Sequence, residues 1–174
     1  MFNRFTRTAR ELVSAACDEA LWVGSPTVGA EHLLLAIAGG EGLAASLLAE
    51  EGADGEALRE TLEEEEADAL AALGISLESV RREVEERFGP AAWEGDTGRG
   101  GRPSFTGEAK VVLELSLRVA LETPTRRIDP EHVLLALLRQ RGRACALLRR
   151  LGVGVDALEE GLAAALRAES ARQR

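Results

Sequence analysis

His32, His132, Cys17, Cys145 and Lys110 are the scarce reactive side chains of this 174-residue chain. Their spacing limits what they can do. His32 and His132 each directly follow a glutamate, Glu31 and Glu131. Neighbours at i and i+1 leave a helix on different faces, so neither Glu-His pair is a metal-ligand pair within its own segment. A metal or hydrolase site would have to join the two histidines. No serine or cysteine stands in a nucleophile elbow to serve such a site, and no third group is placed to orient a base. The two cysteines lie far apart without second-ligand spacing, so they read as apolar core thiols and not as a disulfide or zinc site. Lys110 lacks the glycine-rich loop that cradles phosphates. No catalytic residue, metal or cofactor is expected.

A different chemistry is open to Glu31 and Glu131. Each sits where a helix begins, and Thr6 and Thr106 sit at other helix starts. A carboxylate beside exposed first-turn amides and a hydroxyl could hold a ligand bearing both cationic and anionic groups. Plain helix capping accounts for the same residues.

These pairs are 100 positions apart, and so is much else. Residues 5–62 realign on 105–162 without a gap, with 19 identities over 58 positions. The matches include Phe5-Thr6 with Phe105-Thr106 and Glu31-His32 with Glu131-His132. An internal duplication is the main organising feature.

Each copy reads as helices. Ala9, Leu12, Val13, Ala16 and Ala20 form one apolar stripe, repeated by Ala109, Val112, Leu113, Ser116 and Ala120. Thr6 and Thr106 are N-caps for those helices. Asp129-Pro130 reads as an N-cap followed by proline at the first helical position. Val28 with Leu33, and Ile128 with Val133, form hydrophobic staples around the caps. Gly52 reads as a helix stop. No segment alternates with period two. The expected fold is all-α: two tandem four-helix repeats about a pseudo-two-fold axis, with a helical acidic insertion in the first.

The expected organisation is repeat one over 1–92 with the insertion at about 52–73, a glycine-rich linker at 93–103, repeat two over 104–168 and a polar tail at 169–174. The first copy has two candidate endings, because Leu73 to Val80 matches Leu151 to Leu158 nearly as well as the ungapped alignment does. Charge is divided unevenly. Residues 1–100 hold 21 acids and 8 bases, net −13, and residues 101–174 hold 9 acids and 13 bases, net +4. Glu63-Glu64-Glu65-Glu66 reads as a solvated helix face or as an acidic docking surface.

Net charge is −9 and aromatics are 3% of the chain. That opposes phosphate-backbone binding and base stacking, so no nucleic-acid partner is expected. Arg139, Arg141, Arg143, Arg149 and Arg150 read as solvated faces. No apolar run approaches the ~20 residues of a membrane span. The N-terminus has no apolar signal core, so a cytoplasmic location without membrane contact is expected.

Met1-Phe2-Asn3-Arg4-Phe5-Thr6, Glu31 to Leu35, Ser104 to Leu115 and Glu131 to Leu138 resemble the Clp N-terminal (Clp repeat) domain. That duplicated helical domain precedes the ATPase modules of ClpA- and ClpC-type chaperones. The resemblance implies a non-enzymatic module that recruits protein clients or adaptors for Clp chaperone-protease proteolysis, with a Clp ATPase among its partners. It also implies phosphoarginine pockets, Thr6 with Glu31 and Thr106 with Glu131. A peptide-binding surface at Phe2, Phe105 and Lys110 follows for the cyclic peptide antibiotics that target ClpC in actinobacteria. The threonine that usually precedes the family's Glu-His is here Ala30 and Pro130, and the preceding turn in copy two is Arg127-Ile128-Asp129. With no ATPase segment in the 174 residues, the expectation is a free-standing repeat domain. It would act for a Clp machine, or as a decoy or regulator that sequesters adaptors or antibiotics.

Overall fold

Helix starts and stops in this chain are written by a few side chains, and both copies use the same set. The computed structural model describes residues 2–74 and 103–172, with positions 76, 79, 82, 83 and 86. Helix α1 (Arg7–Trp22) starts at Thr6, whose hydroxyl accepts from the Ala9 amide at 3.3 Å. Helix α5 (Gly107–Leu121) starts at Thr106 in the same way, at 3.1 Å. Both helices bury the stripe predicted from periodicity, and α5 adds Val119.

Helices α2 (Ala30–Ala38) and α6 (Pro130–Gln140) are apolar on nearly every side. His32 to Ile37 and His132 to Leu138 are buried without interruption. A helix of that kind must be enclosed all round. Helices α1, α3 (Leu43–Glu50) and α4 (Gly55–Ala72) pack on α2, and α5, α7 (Arg143–Arg150) and α8 (Val155–Arg172) pack on α6. Gly52 and Gly152 end α3 and α7 at φ +76° and +83°. Amides of Ala53 and Val153 reach back to the carbonyls of Leu48 and Leu148 at 2.8 and 3.0 Å. This closure needs a left-handed residue, which glycine supplies at little cost.

The copies are joined by their helix leaders. Strand β1 (Thr27–Val28), leading into α2, pairs in parallel with β2 (Ser104–Phe105), leading into α5. The counterpart pairing, Phe5 with Ile128, is also parallel. The Thr106 amide donates to the Val28 carbonyl at 3.0 Å, and the Thr6 amide to the Ile128 carbonyl at 3.0 Å. The leader of each first helix thus pairs with the leader of the other copy's second helix, which is the expected pseudo-two-fold arrangement. These two-residue strands are too short to show period-two alternation. Phe5, Val28, Leu34, Ile128 and Leu134 belong to one continuous buried cluster spanning both copies.

The acidic stretch 52–73 contains α4, the fourth helix of the first copy, whose bounds sit 100 residues before those of α8 at equal length; much of the alternative ending at 73–80 lies outside the described residues. The linker at 93–103 falls outside the described residues apart from Pro103. Asp129 is the N-cap of α6 with Pro130 at the first helical position, as expected, and the His132 ring reaches back to accept the Asp129 amide at 3.0 Å.

Ile128 is fully enclosed at the seam. Ile128→Ala is expected to cost about 2–5 kcal/mol, read by urea unfolding as a single transition for both copies. Two separate transitions would mean that the copies do not share a core.

Candidate functional site

The backward reach of the histidines explains where the glutamates go. His32 Nδ1 accepts the Gly29 amide at 2.9 Å, as His132 Nδ1 accepts the Asp129 amide. Both rings are 3% exposed. Burial lowers the pKa of both, favouring the neutral ring whose Nδ1 can accept. They are therefore structural caps. His132 Nε2 is buried and has no hydrogen-bond partner in the structure. Among the described residues no cluster of three or more His, Cys, Asp or Glu side chains could hold a metal ion. Cys145 is fully buried, burial pushes its thiol pKa up, and Cys17 packs partly buried against the core. Neither fits an exposed, activated nucleophile.

Each glutamate lies one position before its histidine, beside the cap. The Glu31 carboxylate folds back over Gly29: a Cβ there would overlap its Oε1. Copy two has Asp129 at that place, and its Cβ denies Glu131 the same position. The Glu131 carboxylate turns instead toward the start of α3, where a Cβ on Gly42 would lie 3.7 Å from Oε1 and where the Ala44 amide helps to stabilise it. Burial raises the Glu131 pKa nonetheless, with the nearby Asp129 adding to the effect.

Glu131 opens onto a cavity of about 380 Å³ between the copies. One wall comes from copy one: Thr8, Glu41, Gly42 and Leu43. The other comes from copy two: Thr123, Thr125, Asp129 to His132, Leu166, Glu169 and Ser170. Four carboxylates line it and no Lys or Arg does. The cavity meets a groove of about 480 Å³ through Thr123, Leu166 and Ser170. That groove has a floor of Val119, Leu135 and Ala163, and Arg139 and Arg167 at its edge.

Glu31 has a different neighbour. Its Oε2 lies 3.7 Å from Nε of Arg143, at the start of α7, and Arg143 Nη2 lies 3.3 Å from Glu65 of α4. A second cross-copy pair joins Arg150 to Asp68. The acidic stretch and the arginine run, read separately as solvated faces, thus partly neutralise each other between copies.

The predicted residues are grouped differently from their sequence pairing. The Thr6 hydroxyl donates to the Ile128 carbonyl at 3.1 Å, on the leader to the helix of Glu131, and contacts Thr8 at 3.1 Å. Thr106 bonds to Val28, on the leader to the helix of Glu31. Phe105 is half-buried in the seam and Lys110 is exposed on α5. The side chain of Phe2 lies outside the described residues. Sequence reasoning missed Thr8, Gly42 and Arg143. The pairings Gly29 with Asp129 and Leu43 with Arg143 in the 100-residue alignment were the available signal.

The family model described as the Clp repeat (R) N-terminal domain matches residues 4–68 and 104–173. The negative regulator of genetic competence ClpC/MecB of Bacillus subtilis is 33% identical over 158 residues, covering 90% of this chain and 16% of that protein. The chaperone protein ClpB of Oceanobacillus iheyensis is 30% identical over 162 residues, again 90% of this chain and 16% of that protein. The chain therefore spans about one sixth of the length of these relatives. The crystal structure of the N-terminal domain of the caseinolytic protease associated chaperone ClpD from Arabidopsis thaliana superposes with a TM-score of 0.66 at 20% identity, covering 95% of this chain and 99% of that one. Among the described residues no single helix is long and apolar enough to cross a membrane.

The two histidines predict a pH response. Folding disfavours their protonation, so their contribution is complete above the unfolded imidazole value of about 6.5 and is lost as pH falls below it. Thermal melts from pH 8 to 5 are expected to show Tm dropping below that value. A flatter profile is expected for His32→Gln with His132→Gln, whose amides can still accept the cap N–H. An unchanged profile would mean that the rings are not held neutral.

Proposed function

The chain belongs to the Clp repeat (R) N-terminal domain family, and from that we propose that it is a binding module for protein clients or adaptors of Clp machines, without catalytic chemistry of its own. The observation that supports this best is the cavity at Glu131. A half-buried carboxylate, with no Lys or Arg among the described residues lining its cavity, faces a space of side-chain size. A guanidinium group is its natural complement, since it offers paired N–H donors to a carboxylate.

The ligand we favour is phosphoarginine on a client. Its guanidinium would meet Glu131, and its phosphoryl oxygens would lie where the cavity joins the groove, facing the hydroxyls of Thr123 and Ser170 and the arginines Arg139 and Arg167. Thr6 supports the site through Thr8 and the Ile128 leader. Glu31 and Thr106 belong to the pseudo-equivalent pocket. The adjoining groove, apolar with arginines at its edge, suits the flanking residues of a peptide. Delivery to a Clp ATPase is part of the same reading.

Titration calorimetry with phosphoarginine tests the ligand. Wild type is expected to bind, and Glu131→Gln to bind about 10–100-fold more weakly, the equivalent of one charged hydrogen bond. No heat with folded wild type, or equal affinity for the variant, would overturn the assignment.

A further inference from the structure

The two glutamates are placed alike and have different neighbours. Both glutamates precede a buried, cap-binding histidine, with ring-to-amide distances of 2.9 and 3.0 Å. Each faces, across the pseudo-two-fold, the start of the other copy's third helix. At α3 that position is Leu43, which leaves Glu131 open to the cavity. At α7 it is Arg143, whose guanidinium stands 3.7 Å from Glu31 and 3.3 Å from Glu65. Glu65 has Ala165 as its counterpart, so both partners of the arrangement are particular to this side. The Arg143 amide is itself held by the Glu108 carboxylate at 2.8 Å, which fixes where the side chain starts.

We propose that Arg143 is a built-in occupant of the Glu31 pocket, so that only the Glu131 pocket takes up a cationic side chain from a client. This rests on the reading that these carboxylates receive a guanidinium. Arg143 offers Glu31 the same group that a client arginine would bring. Being tethered, it presents that group at an effective concentration on the order of millimolar. A client side chain must displace it, and the apparent affinity falls with the fraction of time the pocket stands free. The duplication has thereby become asymmetric, with one open pocket and one closed by the chain itself.

Calorimetric stoichiometry with phosphoarginine decides the point, with thermal melts confirming that each variant is folded. Wild type is expected to bind one equivalent, weakened about 10–100-fold in Glu131→Gln. Arg143→Leu, which copies Leu43, is expected to bind two, and Arg143→Ala serves as a second variant. Arg143→Leu with Glu131→Gln is expected to keep one equivalent, removed by adding Glu31→Gln. Two equivalents in wild type, or a single one in both Arg143 variants, would overturn the occupant while leaving the Glu131 pocket standing. No binding by any folded form would overturn the pocket reading and the occupant with it.

Discussion

Four leader segments and the backbone hydrogen bonds between them set the rest of this structure. The Thr6 amide on the Ile128 carbonyl and the Thr106 amide on the Val28 carbonyl tie each first helix to the other copy's second helix. A copy of this size buries too little surface to be secure alone. The crossed leaders bring α2 and α6 together, and both are apolar nearly all round, so each completes the enclosure of the other. The cross-copy ion pairs Arg143–Glu65 and Arg150–Asp68 are 34–70% exposed. Pairs so exposed contribute about 0–1 kcal/mol each. They orient α4 and α7; the crossed leaders and the core around them hold the copies.

The same crossing makes the site. Because each glutamate faces the third helix of the other copy, the Glu131 cavity has one wall from each repeat, and Glu31 meets Arg143 across the copies. Small differences between the copies then have large effects. Asp129 in place of Gly29 pushes the Glu131 carboxylate away from its own cap, and Leu43 in place of Arg143 leaves it without a cation. Burial, with Asp129 nearby, raises the Glu131 pKa, and carboxylates so perturbed are found at binding sites more than on scaffolds.

Much of this was legible in the sequence because it depends on short-range spacing. The stripes Ala9 to Ala20 and Ala109 to Ala120, the threonine caps and the Gly52 stop follow from local geometry, and the 100-residue alignment gave the architecture. Contacts between copies were not legible. The family resemblance implied a pairing of Thr6 with Glu31, and nothing local in the sequence showed the hydrogen bond that carries Thr6 to the leader of Glu131, 122 residues from Thr6 to Ile128. Local rules made Asp129 the N-cap of α6, as it is, but did not show that the buried ring of His132 takes its amide. Glu65 and Arg143 each read as solvated because neither shows its partner in its own neighbourhood.

Native-state hydrogen exchange at the amides of Thr6, Thr106 and Ile128 tests the central claim most directly. If the crossed leaders hold the two copies together, these three should exchange only with global unfolding, as slowly as the core amides of Leu34 and Leu134. Exchange of the three at loop-like rates, while Leu34 and Leu134 stay protected, would show that the leaders open freely and that the fold does not depend on them.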